Sequence, residues 1–434
     1  MTPASDGAAA GPPSGSAGAV GGAIFLLSLA AFASAAALRL CDSMLPALAD
    51  SFATSVGKAA LAITATSVAY GVCQLFFGPL GDRFGKLRVI TWACLASTLG
   101  ALACAASTSL DALIAARALT GATTAALIPL SMAWIGDVVP FNERQPALAR
   151  FMSGQIIGLV SGQALGGFFA DFVGWRWGFV LLAASYLAVG VLLLRSVAPI
   201  AARIAASGLS GGTPGSTRQR IRQVFAHRAA WTILAIVFVE SMMTFGVLAF
   251  IPTFLHRRFG ISLFHAGAIV ATFGLGGLLY TVFARRWLRS LGAGGLAITG
   301  GTVVGAAFLI LAVAPHWIWG LIASTAAGLG FYQIHNTLQT QATQLAPEAR
   351  GTAVSIFAAC FFLGQASGVA LGSLVIDHAS PVWLFLASAT VLPLLGWRLR
   401  LHLKRSAEND LAADSLQQKS APTRPAASAG GSPS

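Results

Sequence analysis

Along most of this chain apolar residues neither alternate with polar ones nor recur as a single helical stripe; they form long, nearly unbroken runs. Gly21 to Leu40, Ala59 to Leu80, Gly178 to Leu194 and Ile233 to Phe254 are examples. At about 1.5 Å per helical residue each is long enough to cross a hydrocarbon layer of roughly 30 Å. About twelve such runs occur, centred near residues 32, 68, 97, 121, 163, 185, 242, 273, 303, 330, 362 and 390, with short connections except after Arg195. Backbone groups in lipid must find partners within their own segment, so each run predicts a helix. The alternating segments of about ten residues that make a membrane β-barrel are absent. The expected fold class is all-α integral membrane, with twelve transmembrane helices.

The longest internal connection, from about Arg195 to Ala229, holds a Gly/Ser/Pro-rich stretch followed by a basic one, and it divides six runs from six. Displacing the sequence by 206 residues lays Pro46 on Pro252, Arg144 on Arg350, Gly158 on Gly364, Gly162 on Gly368, Asp171 on Asp377, Trp177 on Trp383 and Phe179 on Phe385. One constant offset through Pro, Arg, Asp and Trp marks two structural duplicates. The expected division is a first bundle over 22–195, a linker over 196–228 and a second bundle over 229–400, with disordered tails at 1–21 and 401–434. Two parallel six-helix repeats can rock against each other around a site near the midplane, which is the geometry of alternating access.

Composition sharpens this picture. The 434 residues are 56% hydrophobic and 9% charged, where a soluble domain carries about a quarter charged residues. A net charge of +13 would suit nucleic acid if it were spread over a soluble surface, but twenty-one of the 27 basic residues fall on one side once the spans are laid down. Arg83, Lys86, Arg88, Arg285, Arg286 and Arg289 are among them; only Lys58, Arg176, Arg257 and Arg258 fall opposite. By the positive-inside rule that side, with both termini, is cytoplasmic. Arginine in large excess over lysine, with abundant alanine, points to a bacterial cytoplasmic (inner) membrane. The five cysteines stand singly in apolar surroundings and read as packing residues. No phosphate-binding loop, metal cluster or nucleophile–base arrangement is present, so neither a cofactor nor enzyme chemistry is expected.

Several motifs carry chemistry. Gly78-Pro79-Leu80-Gly81-Asp82-Arg83-Phe84-Gly85-Lys86-Leu87-Arg88 closes the second run; its glycines allow a tight turn, its cations face the anionic leaflet, and Asp82 offers a carboxylate to a helix N-terminus or an arginine, with Arg350 or the helix that starts just after Pro347 the expected partner. This stretch resembles the second-to-third-helix loop of the major facilitator superfamily, with Leu87 where a second basic residue is common. Arg117 followed by Gly121 is similar to that family's fourth-helix signature, and Asp42 in Asp42-Ser43-Met44-Leu45-Pro46 is similar to a first-helix stretch of its drug exporters. The resemblance implies that Asp42 and Arg117 handle protons together; an interfacial pair of Arg39 with Asp42 that merely anchors the helix is the other reading. Gly154, Gly158, Gly162, Gly166 and Gly167 resemble the family's fifth-helix antiporter motif, with Gln163 in place of the usual proline; four-residue spacing suits either a sliding seam or plain packing, and Gln163 either faces the cavity or does not.

Glu240 lies about eleven residues into the seventh run, roughly 16 Å deep, with no cation within one turn. An acid at that depth is costly when ionised, so it serves a proton or cationic contact or else is a neutral, hydrogen-bonded group. Gln333, His335 and Asn336 interrupt the tenth run and are expected to line a solute cavity. Taken together, the resemblance to the twelve-span drug/proton antiporters covers residues 22–400. It implies proton-coupled export of a small amphipathic drug, metabolite or siderophore by a monomer in a lipid bilayer, with no nucleic acid partner. An importer of sugars or organic acids, and a non-transporting sensor, are the alternatives.

Overall fold

The computed structural model describes residues 14–206, 217–226, 228–345 and 350–420, and among them every regular element is a helix. The first six crossings are α1 (Ser14–Ser51), α2 (Val56–Phe84), α3 (Lys86–Ala106), α4 (Leu110–Val138), α5 (Phe141–Phe168, prolonged by the π turn Phe169–Val173) and α6 (Trp175–Ala206). The second six are α7 (Arg228–Leu248, prolonged by Ile251–Phe259), α8 (263–291), α9 (293–313), α10 (Ile318–Gln344), α11 (Arg350–His378) and α12 (Val382–Ser420). Ten stretches are apolar and long enough to span a bilayer. One of them, Leu263–Val313, has 51 residues, about 76 Å of helix and far more than one crossing needs. It breaks at Gly292 (φ 67°, ψ 174°) into α8 and α9. The twelfth crossing is α10, a full-length helix whose Gln, His, Asn and Thr residues dilute its apolar character.

Three boundaries differ from the sequence expectation. Helix begins at Ser14, continues through Ala206 into the expected linker, and runs at the end to Ser420. The flank over 196–206, with five alanines, keeps hydrogen-bonding as helix beyond the last residue that lipid requires. A further helix, Thr217–Ala226, lies within the linker and seats Val224 in the second half, with Phe225 against Trp231.

Side-chain caps start several helices: Ser55, Ser109 and Ser262 accept from the N–H of Lys58, Ala112 and His265. Between α2 and α3 the chain reverses at Gly85, whose φ of 90° is open to glycine and strained for other residues. The 206-residue repeat is visible in packing. A Cβ on Gly158 would sit 2.2 Å from the Phe32 carbonyl oxygen, and one on Gly364 would sit 2.2 Å from that of Phe238, the same 206-residue counterpart. Gly162 and Gly368 repeat the arrangement on Ala36 and Met242. With Gly154 on Ser28 and Gly166 on Leu40, these glycines form a straight seam between α5 and α1 inside the first half, so four of the five motif glycines pack one half; Gly167, on the Leu263 carbonyl, meets the other half.

Lys86, which opens α3, and Arg285, near the end of α8, lie at one end of the bundle, here called the basic face. Contacts between halves run from mid-depth to the far face, along α2 with α11 and α5 with α8. At the far face Asp377, ending α11, accepts from the Gly57 N–H (2.9 Å) and Ser55 Oγ (2.5 Å) at the start of α2. Its repeat counterpart Asp171, ending α5, accepts from the Phe264 N–H (2.7 Å) at the start of α8. Each half thus caps a helix of the other.

Candidate functional site

Helices α1, α5, α7, α10 and α11 bring the buried polar residues together near mid-depth. Asp42 and Arg39 share a face of α1 one turn apart, and both are removed from water. Arg39 Nη1 lies 3.4 Å from Asp42 Oδ2, and Gln163 Nε2 donates to the same oxygen at 2.9 Å. The other guanidinium nitrogen, Nη2, crosses to the second half and donates to Gln365 Oε1 (3.0 Å), while Gln365 Nε2 donates to Ser67 Oγ (2.9 Å). The guanidinium also lies over the Phe245 ring, 4.2 Å from its centre. One polar chain therefore links α5, α1, α11 and α2.

This arrangement corrects two expectations. The cation on Asp42 is Arg39, in a fully buried pair and not an interfacial one; Arg117 makes no ion pair with Asp42. Arg117 is buried too, donating through Nη2 to the Ala37 carbonyl (3.0 Å) beside the Phe179 ring. Gln163 does not face a cavity: it is buried against Asp42 and accepts from Ser43 Oγ. Gln365 and Ser67 were not recognisable in the sequence, because single small polar residues in apolar helices are common and only three-dimensional proximity to Arg39 distinguishes them.

Across the second half, Glu240 on α7 meets His335 on α10, with Oε2 and Nδ1 3.0 Å apart. No sequence neighbour supplies this contact; it spans 95 positions. Glu240 is fully buried, whereas the His335 side chain keeps 16% of its surface. His335 stacks on Phe331 (centroids 4.7 Å, 21°) and touches Phe361 and Phe357. The pair is an acid and a base within hydrogen-bond distance in an aromatic wall, able to hold or pass a proton. Gln333, by contrast, is turned into the bundle and accepts from Thr299 Oγ1 (3.0 Å), and Asn336 lies beside the Tyr280 hydroxyl, so the two do not present one shared cavity face. Among the described residues no His, Cys, Asp or Glu side chains converge as metal ligands.

At the basic face Asp82 is half exposed and stays within its own half, 3.8 Å from Lys86 Nζ, which also pairs with Asp137. The side chain of its expected partner, Arg350, lies outside the described residues. A Cβ on Gly78 would meet nothing within 4 Å, and Arg83 covers the Phe84 ring.

The sequence profile of the Major Facilitator Superfamily matches residues 27–357. The chain belongs to this superfamily. It is accordingly a secondary transporter and not an enzyme. Among superfamily relatives, an uncharacterised transporter of Bacillus subtilis (strain 168), YceJ, is 24% identical over 76% of this chain and 83% of its own. The multidrug export protein EmrB of Escherichia coli (strain K12) is 29% identical over 39% of this chain and 33% of its own. Solved structures of a peptide transporter (TM-score 0.69, 17% identity, 88% and 94% coverage) and a D-xylose–proton symporter (TM-score 0.67, 15%, 87% and 97%) share the fold.

Proposed function

We propose that this transporter exports a small amphipathic compound in exchange for protons, by alternating access in a bacterial inner membrane, with the basic face and both termini cytoplasmic. The observation that carries this reading is the Glu240–His335 pair: a fully buried acid whose partner alone reaches open space within an aromatic wall. A carboxylate at that depth is held by protonation or by a cation, and either is lost when the other arrives. Local similarity to a multidrug exporter favours the outward direction.

With the far face joined through Asp171 and Asp377, the state described is the one open toward the basic face, where solute enters. In the opposite state Asp82 leaves Lys86 and closes the basic face against α11. Protons enter from the far side, load the pair, and leave toward the cytoplasm as solute binds; Asp42 with Arg39 and Gln163 relays the change to the interface, and Arg117 holds α1 to α4.

The test uses purified protein in proteoliposomes and an amphipathic dye that the wild type moves. Glu240→Gln imitates the protonated acid permanently. The variant is expected to exchange dye across the membrane while failing to concentrate it when a pH gradient is imposed. Accumulation equal to wild type would remove Glu240 from coupling.

A further inference from the structure

The halves differ in charge at the basic face, where the second helix of each ends. In the first half the acids remain: Lys86 pairs with both Asp82 and Asp137. The position that answers to Asp82 in the repeat is Leu288, 53% exposed, and arginines have accumulated around it. Arg285, Arg286 and Arg289, with Val282 and Ser290, share one face of α8 near its end and line a shallow, open cleft of about 440 Å³ there. Among the described residues none of the three arginines forms an ion pair. Three like charges within two helical turns repel one another, and a helix end needing only a topology signal would not need to gather them round one hollow.

The surroundings of the cleft are apolar in a particular direction. Val282, a lining residue, is 74% exposed, and Leu275, Leu278 and Leu279 continue an exposed apolar stripe down α8 toward mid-depth. Trp287 stacks on Phe283 (5.3 Å, 27°) at the level where indole rings sit at a membrane interface. Guanidiniums match phosphate oxygens two at a time, and the stripe below them matches acyl chains. We propose that this cleft binds the phosphate headgroup of an anionic glycerophospholipid from the surrounding leaflet, with its chains lying along α8. Free phosphate would satisfy the arginines but not the stripe.

Native mass spectrometry of the purified full chain tests this with phosphatidylglycerol and phosphatidylcholine of equal chain length. Wild type is expected to retain phosphatidylglycerol in preference by on the order of tenfold or more. Arg285→Gln/Arg286→Gln/Arg289→Gln should abolish that preference, whereas removing three charges elsewhere, as Arg195→Gln/Arg222→Gln/Arg405→Gln, should leave it. If the triple glutamine variant does not insert, the triple lysine variant keeps the charge but not the planar fork, and its preference should fall below wild type. No preference in wild type, an undiminished preference in the cleft variant that inserts, or equal loss in the control would each overturn the site. Displacement of the lipid by millimolar inorganic phosphate alone would overturn the lipid as its occupant.

Discussion

Arg39 and Asp42 face each other one turn apart on α1, and neither reaches water. Removing one member of such a pair leaves the other charge uncompensated, at a cost of about 3–5 kcal/mol, while removing both is nearly neutral. Arg39→Met should therefore lower the apparent melting temperature in detergent sharply, and Arg39→Met/Asp42→Asn should recover most of the loss. A double variant as unstable as the single one would mean that Arg39 acts mainly through Gln365 and Phe245. At this scale the sequence was legible in kind but not in pairing. The depth of Glu240 and the i,i+3 spacing of Arg39 and Asp42 could be read directly. That Glu240 meets His335, and that Arg117 leaves Asp42 to Arg39, depends on how helices far apart in sequence are turned about their axes, which the nearly all-apolar faces of these helices leave unspecified.

At the scale of helices, the glycine seam makes the reverse of the usual propensity rule. Alanine in place of a mid-helix glycine ordinarily gains up to about 1 kcal/mol. On Gly158 the added Cβ would press within 2.2 Å of a carbonyl oxygen, and overpacking of that kind costs about 1–3 kcal/mol. Gly158→Ala and Gly364→Ala should each lower thermal stability, and Gly136→Ala, with nothing within 4 Å, should not. Equal behaviour of all three would show that the seam yields freely. The seam was foreseeable because the repeat places Gly158 on Gly364; whether it slides or merely packs was not, since spacing alone does not say which helix lies opposite. The break at Gly292 was likewise readable as two runs in the sequence, and there the chain folds back, so that Gly276 and Gly300 pack on neighbouring turns of α10.

At the scale of the whole molecule, the two caps at the far face should hold one state of the transport cycle. Each is a hydrogen bond from a backbone N–H at a helix start to a carboxylate, stronger than a neutral contact. Asp171→Ala and Asp377→Ala should each allow some opening, and the double variant much more. Spin labels at positions 108 and 315, one on each half at the far face, would report this as a growing long-distance population; an unchanged distribution would show that the apolar contacts of α2 with α11 and α5 with α8 suffice. The twelve-helix architecture was plain from the apolar runs. The direction of transport and the solute were not, because they depend on side chains scattered over many helices.

The caps also have an evolutionary side. At Phe264 the acid grips the main chain, so substitution there by any residue except proline preserves the donor, and the partner of Asp171 is shielded from mutational drift. At Gly57 the same grip is narrower, for a Cβ would fall 2.4 Å from the Ser373 carbonyl oxygen and 2.5 Å from Asp377 itself. Two halves that repeat one sequence pattern are thus freer to diverge at one far-face cap than at the other, so a library of random variants should tolerate more replacements of Phe264, whose ring meets Phe168 and Phe172, than of Gly57.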